Sequence, residues 1–211
     1  DKFFSDNRGL VSQSNSNLNR KLRDIIPFNS IKYFSGYQIE RWKIPLGWEL
    51  KKGEIKIGST KYNNFDIPLL VPFGTESFSY FGKYKEIKRY IISIPELPQA
   101  TPYRTNYYNP SNHMVCVPYN IISRASDDTK ISINVESSFT NSNLEILEIL
   151  IKGEVKDEVL FTTYNCHPGL GNDNFSGIIS ICNIYDKISR IKNRYYSYRF
   201  AIFPETIGAI C

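Results

Sequence analysis

The spacing of apolar residues changes along this chain, and each change marks a stretch with its own structural expectation. Up to about residue 36 polar positions dominate: SQSNSNLNR reads as a loop or frayed start, and NLNRKLRDII as a short helical piece. From about residue 37 to residue 130 short β-prone runs are broken by proline, glycine and asparagine, as in YQIERWKIPLGWEL, GEIKIGS, FDIPLLVPFG and RYIISIPELPQATPYRTNYYNPSNHMVCVPYN. Prolines at positions 95, 98, 102 and 110 assign these runs to sheet edges and crossings, since a residue without an N–H cannot serve a central ladder. The expectation is a β-rich module over 37–130, inserted into an α/β domain built from 1–36 and 131–211.

Beyond residue 130 the pattern becomes longer and more regular. KISINVES and NLEILEILIKGE alternate as half-buried strands, EVKDEV is a polar turn, and VLFTTYN is a short apolar run of the kind used in the middle of a sheet. FSGIISICNIYDKISRI has apolar residues at 175, 178, 179, 181, 184, 185, 188 and 191, close to helical spacing, and YSYRFAIFPE reads as another central strand. Strand, loop, helix, strand is a βαβ unit, which sets the exits of its two strands side by side. YNCHPGLGND leaves the first strand and PETIGAIC the second, so His167, Asp173 and Glu205 should converge on one crevice. An imidazole with carboxylates there suits a hydrolytic metal site, because zinc takes His nitrogen and carboxylate oxygen and keeps a position open for water. Each residue also has a plainer reading: a hydrogen-bonding loop histidine, a helix N-cap and a solvated turn carboxylate.

Composition narrows the function classes. With 41% apolar and 14% aromatic residues, a chain of 211 residues can bury a core as one large domain or two small ones. No run approaches the roughly 18 to 20 apolar residues that span a bilayer, and DKFFSDNRGL lacks the order of a signal peptide, so a cytoplasmic protein without a membrane partner is expected. Cys116, Cys166, Cys182 and Cys211 show no CxxC spacing and are read as reduced thiols. The net charge of +5 is dispersed among acids, which argues against a nucleic-acid partner.

CHPGLGNDNFSGI followed by RFAIFPETIG resembles the zinc-dependent aminopeptidase fold, whose metal centre is built from a His after one strand, an NDNxSG-type turn and an EExG-type turn. With ERWKIPLGWEL and IPELPQATPYRTNYY added, the chain from about residue 37 onward is similar to a bacterial aminopeptidase-like family whose peptidase domain carries an inserted β-rich domain. The resemblance implies an α/β fold with a zinc-exopeptidase-like central mixed sheet, helices and an interrupting insertion. It implies that His167 and Asp173 hold the metal and that Glu205 acts as general base toward a metal-activated water, with Asn172 and Thr206 as supporting positions around them. Ser176 and Gly177 are structural in this reading, allowing a tight helix start. Gly169 stands where the family's HxD arrangement has an aspartate, and Thr206 where it has a second, ligating glutamate. One zinc ion is therefore expected rather than two. Because the fold draws further ligands from chain beyond the EExG turn, the sequence is read as the N-terminal part of a longer protein. His113 matches no ligand position and is read as a loop or substrate-side residue.

The leading expectation is a metal-dependent hydrolase of aminopeptidase type, acting on a peptide or an amide-bearing small molecule. The alternative is a non-catalytic accessory or carbohydrate-binding protein of a bacterial surface-polysaccharide pathway. Trp42, Trp48, Tyr103, Tyr107 and Tyr108 could stack on sugar faces, or simply fill a β-domain core.

Overall fold

The structure is a computed structural model that describes residues 8–167 and 169–211; the opening DKFFSDN and Pro168 lie outside the described residues. In chain order its strands are β1 (Asn29–Phe34), β2 (Gln38–Ile39), β3 (Trp42–Lys43), β4 (Gly47–Ile57), β5 (Thr60–Asn63), β6 (Phe78–Lys83), β7 (Ile91–Ile92), β8 (Val115–Cys116), β9 (Lys130–Thr140), β10 (Asn143–Ile151), β11 (Glu158–Tyr164) and β12 (Ser197–Phe203). The helices are α1 (Gln13–Ile25), α2 (Tyr84–Ile87), α3 (Tyr119–Ile122), α4 (Ser176–Ser189) and α5 (Ile207–Ile210). The chain forms two compact units, one from residues 1–47 and 140–211 and the other from Trp48–Phe139.

In the first unit the sheet order is β1-β10-β12-β11. β10 pairs antiparallel with β1 and β12, whereas β11 and β12 run parallel, from Glu158↔Ser197 to Tyr164↔Phe203. Helix α4 makes the crossover between that parallel pair, so the expected βαβ unit is present within a mixed α/β sheet. The core joins Leu18, Leu22 and Ile26 near α1 to Leu147, Phe200 and Ile202 on the sheet and Ile178 and Ile181 on α4. Phe200 stacks on Phe161 of the neighbouring strand and meets Tyr185 of α4 edge-on.

Helix α1 starts earlier than the apolar pattern alone suggests. Ser12 caps it, its hydroxyl accepting from the Asn15 N–H at 3.2 Å, so part of the polar run read as a loop is the first turn. Its buried residues are Asn15, Leu18, Asn19 and Leu22, a helical stripe that is half polar. The asparagines are linked in a buried net: Asn15 Nδ2 donates to Asn165 Oδ1 at 3.2 Å, Asn165 Nδ2 to Asn19 Oδ1 at 2.8 Å, and Asn19 Nδ2 to Glu145 Oε2 at 3.1 Å. Asn165 lies just past the end of β11, so the net ties the first helix to that strand's exit.

The second unit holds a sheet in the order β5-β4-β9-β6 and a small parallel pair, β7 and β8. Its core includes Trp48, Ile55, Leu70, Phe73, Val117, Ile131 and Ile133. This unit runs later in the chain at both ends than 37–130. Strand β9, read from sequence as part of the α/β domain, pairs with β6 here, while β2 and β3 fall in the first unit. Alternation identifies a half-buried strand but carries no information on which sheet receives it. Trp48 is buried, donates from Nε1 to the Thr75 carbonyl at 2.8 Å and packs on Phe73, which also meets Tyr107. His113 is held between the Tyr80 hydroxyl at 2.8 Å and Glu76 at 3.1 Å and stacks on Phe78. Among the described residues no helix is long and apolar enough to cross a membrane.

Candidate metal centre

The carboxyl ends of β11 and β12 remain in register for one residue beyond their ladder, the Asn165 N–H reaching the Phe203 carbonyl at 3.1 Å. Cys166 and His167 follow on one side, and Pro204 and Glu205 on the other. The Glu205 N–H donates to Cys166 Sγ at 3.2 Å, which closes the crevice between the two exits. His167 turns sharply there, with φ +72, a left-handed backbone that residues other than glycine adopt at a cost. Its carbonyl is held by a buried bond from Arg8 Nη2 at 2.9 Å.

The imidazole is only 4% exposed, and its Nε2 lies 3.1 Å from Glu205 Oε2 and 3.9 Å from Asp173 Oδ1. The convergence expected of these residues is present, but unequally: Glu205 is the nearer carboxylate, and Asp173 is 68% exposed. Cys166 joins them, for the ligand atoms of Cys166, His167 and Glu205 all lie within 4.8 Å of one another. The remaining expected residues stand further out. Asn172 is exposed, with its carbonyl accepting from Ser176 Oγ at 2.8 Å, and Thr206 is exposed at φ +57. Asn174 fastens the turn before α4, donating to Thr163 Oγ1 at 2.7 Å and to the Tyr164 carbonyl at 3.2 Å. Gly177 makes this possible, because a Cβ there would overlap both Asn174 Oδ1 and Thr163 Oγ1.

The electrostatics of the centre favour a cation. Burial works against a charged imidazole, but hydrogen bonds from His167 to Cys166 and Glu205 outweigh it and raise its pKa to about 10. Lone-pair donors facing one another at such distances need either a shared proton or a metal ion between them. A tetrahedral zinc ion separates nitrogen and oxygen ligands by roughly 3.3 Å, close to the His167–Glu205 spacing of 3.1 Å. The donor set therefore fits zinc. Two features of the centre escape a reading by motif: Cys166, whose only signal is adjacency to His167, and the asparagine net, signalled by polar residues on the buried stripe of α1.

A mixed sheet with a parallel crossover, and potential metal ligands at the paired strand exits, define a mixed α/β domain with a candidate metal centre. The chain belongs to the family described as Domain of unknown function (DUF4910), which matches residues 1–211. It is 34% identical over 203 residues to a Clostridium acetobutylicum protein provisionally named a polysaccharide biosynthesis protein with an aminopeptidase-like domain, covering 90% of this chain and 45% of that protein. A crystal structure of a provisionally assigned peptidase from Clostridium acetobutylicum matches with a TM-score of 0.89 at 29% identity, over 99% of this chain and 49% of that one. A zinc aminopeptidase from Bacillus subtilis shares the fold at a TM-score of 0.53 and 11% identity, over 94% of this chain and 57% of that one. The chain thus spans about half the length of the relatives it matches.

Proposed function

We propose that the protein is a metal-dependent hydrolase of aminopeptidase type that cleaves a peptide or other amide bond with zinc. The observation that carries the reading is the 3.1 Å approach of His167 Nε2 to Glu205 Oε2 at the exits of two parallel strands, with Asp173 at 3.9 Å. His167 and Asp173 hold the ion in this reading. When bound, zinc supplies a Lewis acid that brings the acidity of water toward the neutral range. Glu205 Oε2 takes the proton from the attacking water and is placed to return it to the leaving amine. The left-handed turn at His167, fixed by Arg8 through its carbonyl, keeps the imidazole aimed into the crevice.

Two substitutions in the full-length protein test these roles. His167→Ala should lose metal and activity together, because it removes a coordinate bond. Glu205→Gln should keep the metal while turnover falls by about 10² to 10⁴, the usual contribution of a positioned acid or base. Metal content by elemental analysis and hydrolysis of aminoacyl and N-acyl substrates are the readouts. Loss of zinc from Glu205→Gln would make Glu205 a ligand, and unchanged metal and activity in both variants would reject the site. A second reading, a non-catalytic member of a polysaccharide pathway, is favoured by the exposed Thr206 where a ligating carboxylate is expected. Wild-type protein that holds no metal and hydrolyses nothing supports that reading.

A further inference from the structure

We infer that Cys166 is itself a ligand of the ion, its Sγ joining His167 Nε2 in a sulfur-bearing centre beside the Glu205 carboxylate; this rests on the metal-site reading above. The ligand atoms of these residues already lie within 4.8 Å of one another. A tetrahedral ion spaces sulfur, nitrogen and oxygen ligands by roughly 3.3 to 3.7 Å, so the set closes by drawing in around it. Cys166 is 1% exposed and His167 4%, so sulfur and imidazole meet where water does not compete with the ion. The Glu205 N–H at 3.2 Å points at Sγ and fixes the sulfur's position at the strand exits.

The surrounding residues make the sulfur useful. Thr206 offers an exposed neutral hydroxyl, and Asp173 is exposed and further from the imidazole than Glu205. A thiolate supplies the negative charge and the donor that Thr206 does not. On uptake of the ion the Cys166 thiol and the His167 imidazole each release a proton to solvent, which balances the charge of a divalent cation. The consequence is selectivity: a centre with sulfur and imidazole ligands takes zinc, cobalt or cadmium in preference to magnesium or manganese, which favour all-oxygen sites.

The test is a titration of the metal-free full-length protein with Co²⁺, read by near-ultraviolet absorption. A thiolate ligand gives an intense sulfur-to-cobalt charge-transfer band that nitrogen and oxygen ligands do not give. The band is expected in the wild type and absent in Cys166→Ser, whose cobalt affinity should fall by at least about 10- to 100-fold, since even residues outside the ligand set cost that much. Should Cys166→Ser fail to fold, persistence of the band when every other cysteine of the full-length protein is replaced still assigns it to Cys166. Cobalt bound without the band, or wild-type affinity in Cys166→Ser, overturns the inference and leaves the hydrolase reading standing. Absence of any cobalt binding by folded wild type overturns both.

Discussion

At the scale of single residues, the centre depends on small side chains as much as on ligands. Gly177 sits where the Asn174 amide reaches back to Thr163, and any Cβ would push into both partners. Gly177→Ala should therefore destabilise the fold by about 1 to 3 kcal/mol, the usual cost of overpacking, and loosen the turn that carries Asp173. Chemical denaturation compared with metal affinity checks both effects; a variant as stable as wild type with unchanged metal binding would show that the turn yields freely. His167, Asp173 and Glu205 are legible in the sequence because their types are rare or charged and the strand pattern sets them at neighbouring exits. The relative closeness of Glu205 and Asp173 is not legible. It follows from backbone angles in the loops, such as the left-handed turn at His167, that periodicity does not encode.

At the scale of elements, the βαβ unit is the most readable part of the chain, since the helical spacing of FSGIISICNIYDKISRI and the apolar runs flanking it come from local burial alone. The sheet membership of β9 is not readable, because it is decided by pairing with β6, which is distant in sequence. Within the first sheet, Arg199 on β12 ties three strands together. It reaches Glu148 on β10 at 2.9 Å and grips both oxygens of Glu158 on β11, at 2.6 and 3.0 Å. The hydrogen bond to Arg199 holds the Glu158 carboxyl below its usual range. A depressed folded-state pKa means that the pair's contribution is fully present above the ordinary carboxylate pKa and is lost as pH falls through the lowered value. Arg199→Leu should thus lower the unfolding temperature at neutral pH, with the deficit shrinking from about pH 5 downwards. Thermal melts across that range decide the matter, and a deficit independent of pH would assign Arg199 to packing instead.

At the scale of the whole molecule, each unit has its own core. The chain leaves the first unit after Gly47 and returns at Thr140, and these points are adjacent: a Cβ on Gly47 would lie 2.8 Å from Ser142 Cβ and 3.4 Å from the Thr140 carbonyl. Adjacent exit and entry points permit excision. Trp48–Phe139 expressed alone should unfold cooperatively, and the full-length protein with a short Gly/Ser linker in its place should keep its far-ultraviolet helical signal. An unstructured excised segment would show that the two units depend on each other.

The asparagine net gives the opening of the chain an unexpected weight. Asn15 and Asn165 are 150 positions apart, yet they share a hydrogen bond directly before Cys166 at the candidate centre. An apolar residue at either position strands buried partners, since Asn165 Nδ2 also donates to Asn19 Oδ1 and Asn15 Nδ2 to the Gly9 carbonyl. A substitution in α1 therefore acts on a loop far along the chain, at the exit of β11 where Cys166 and His167 follow.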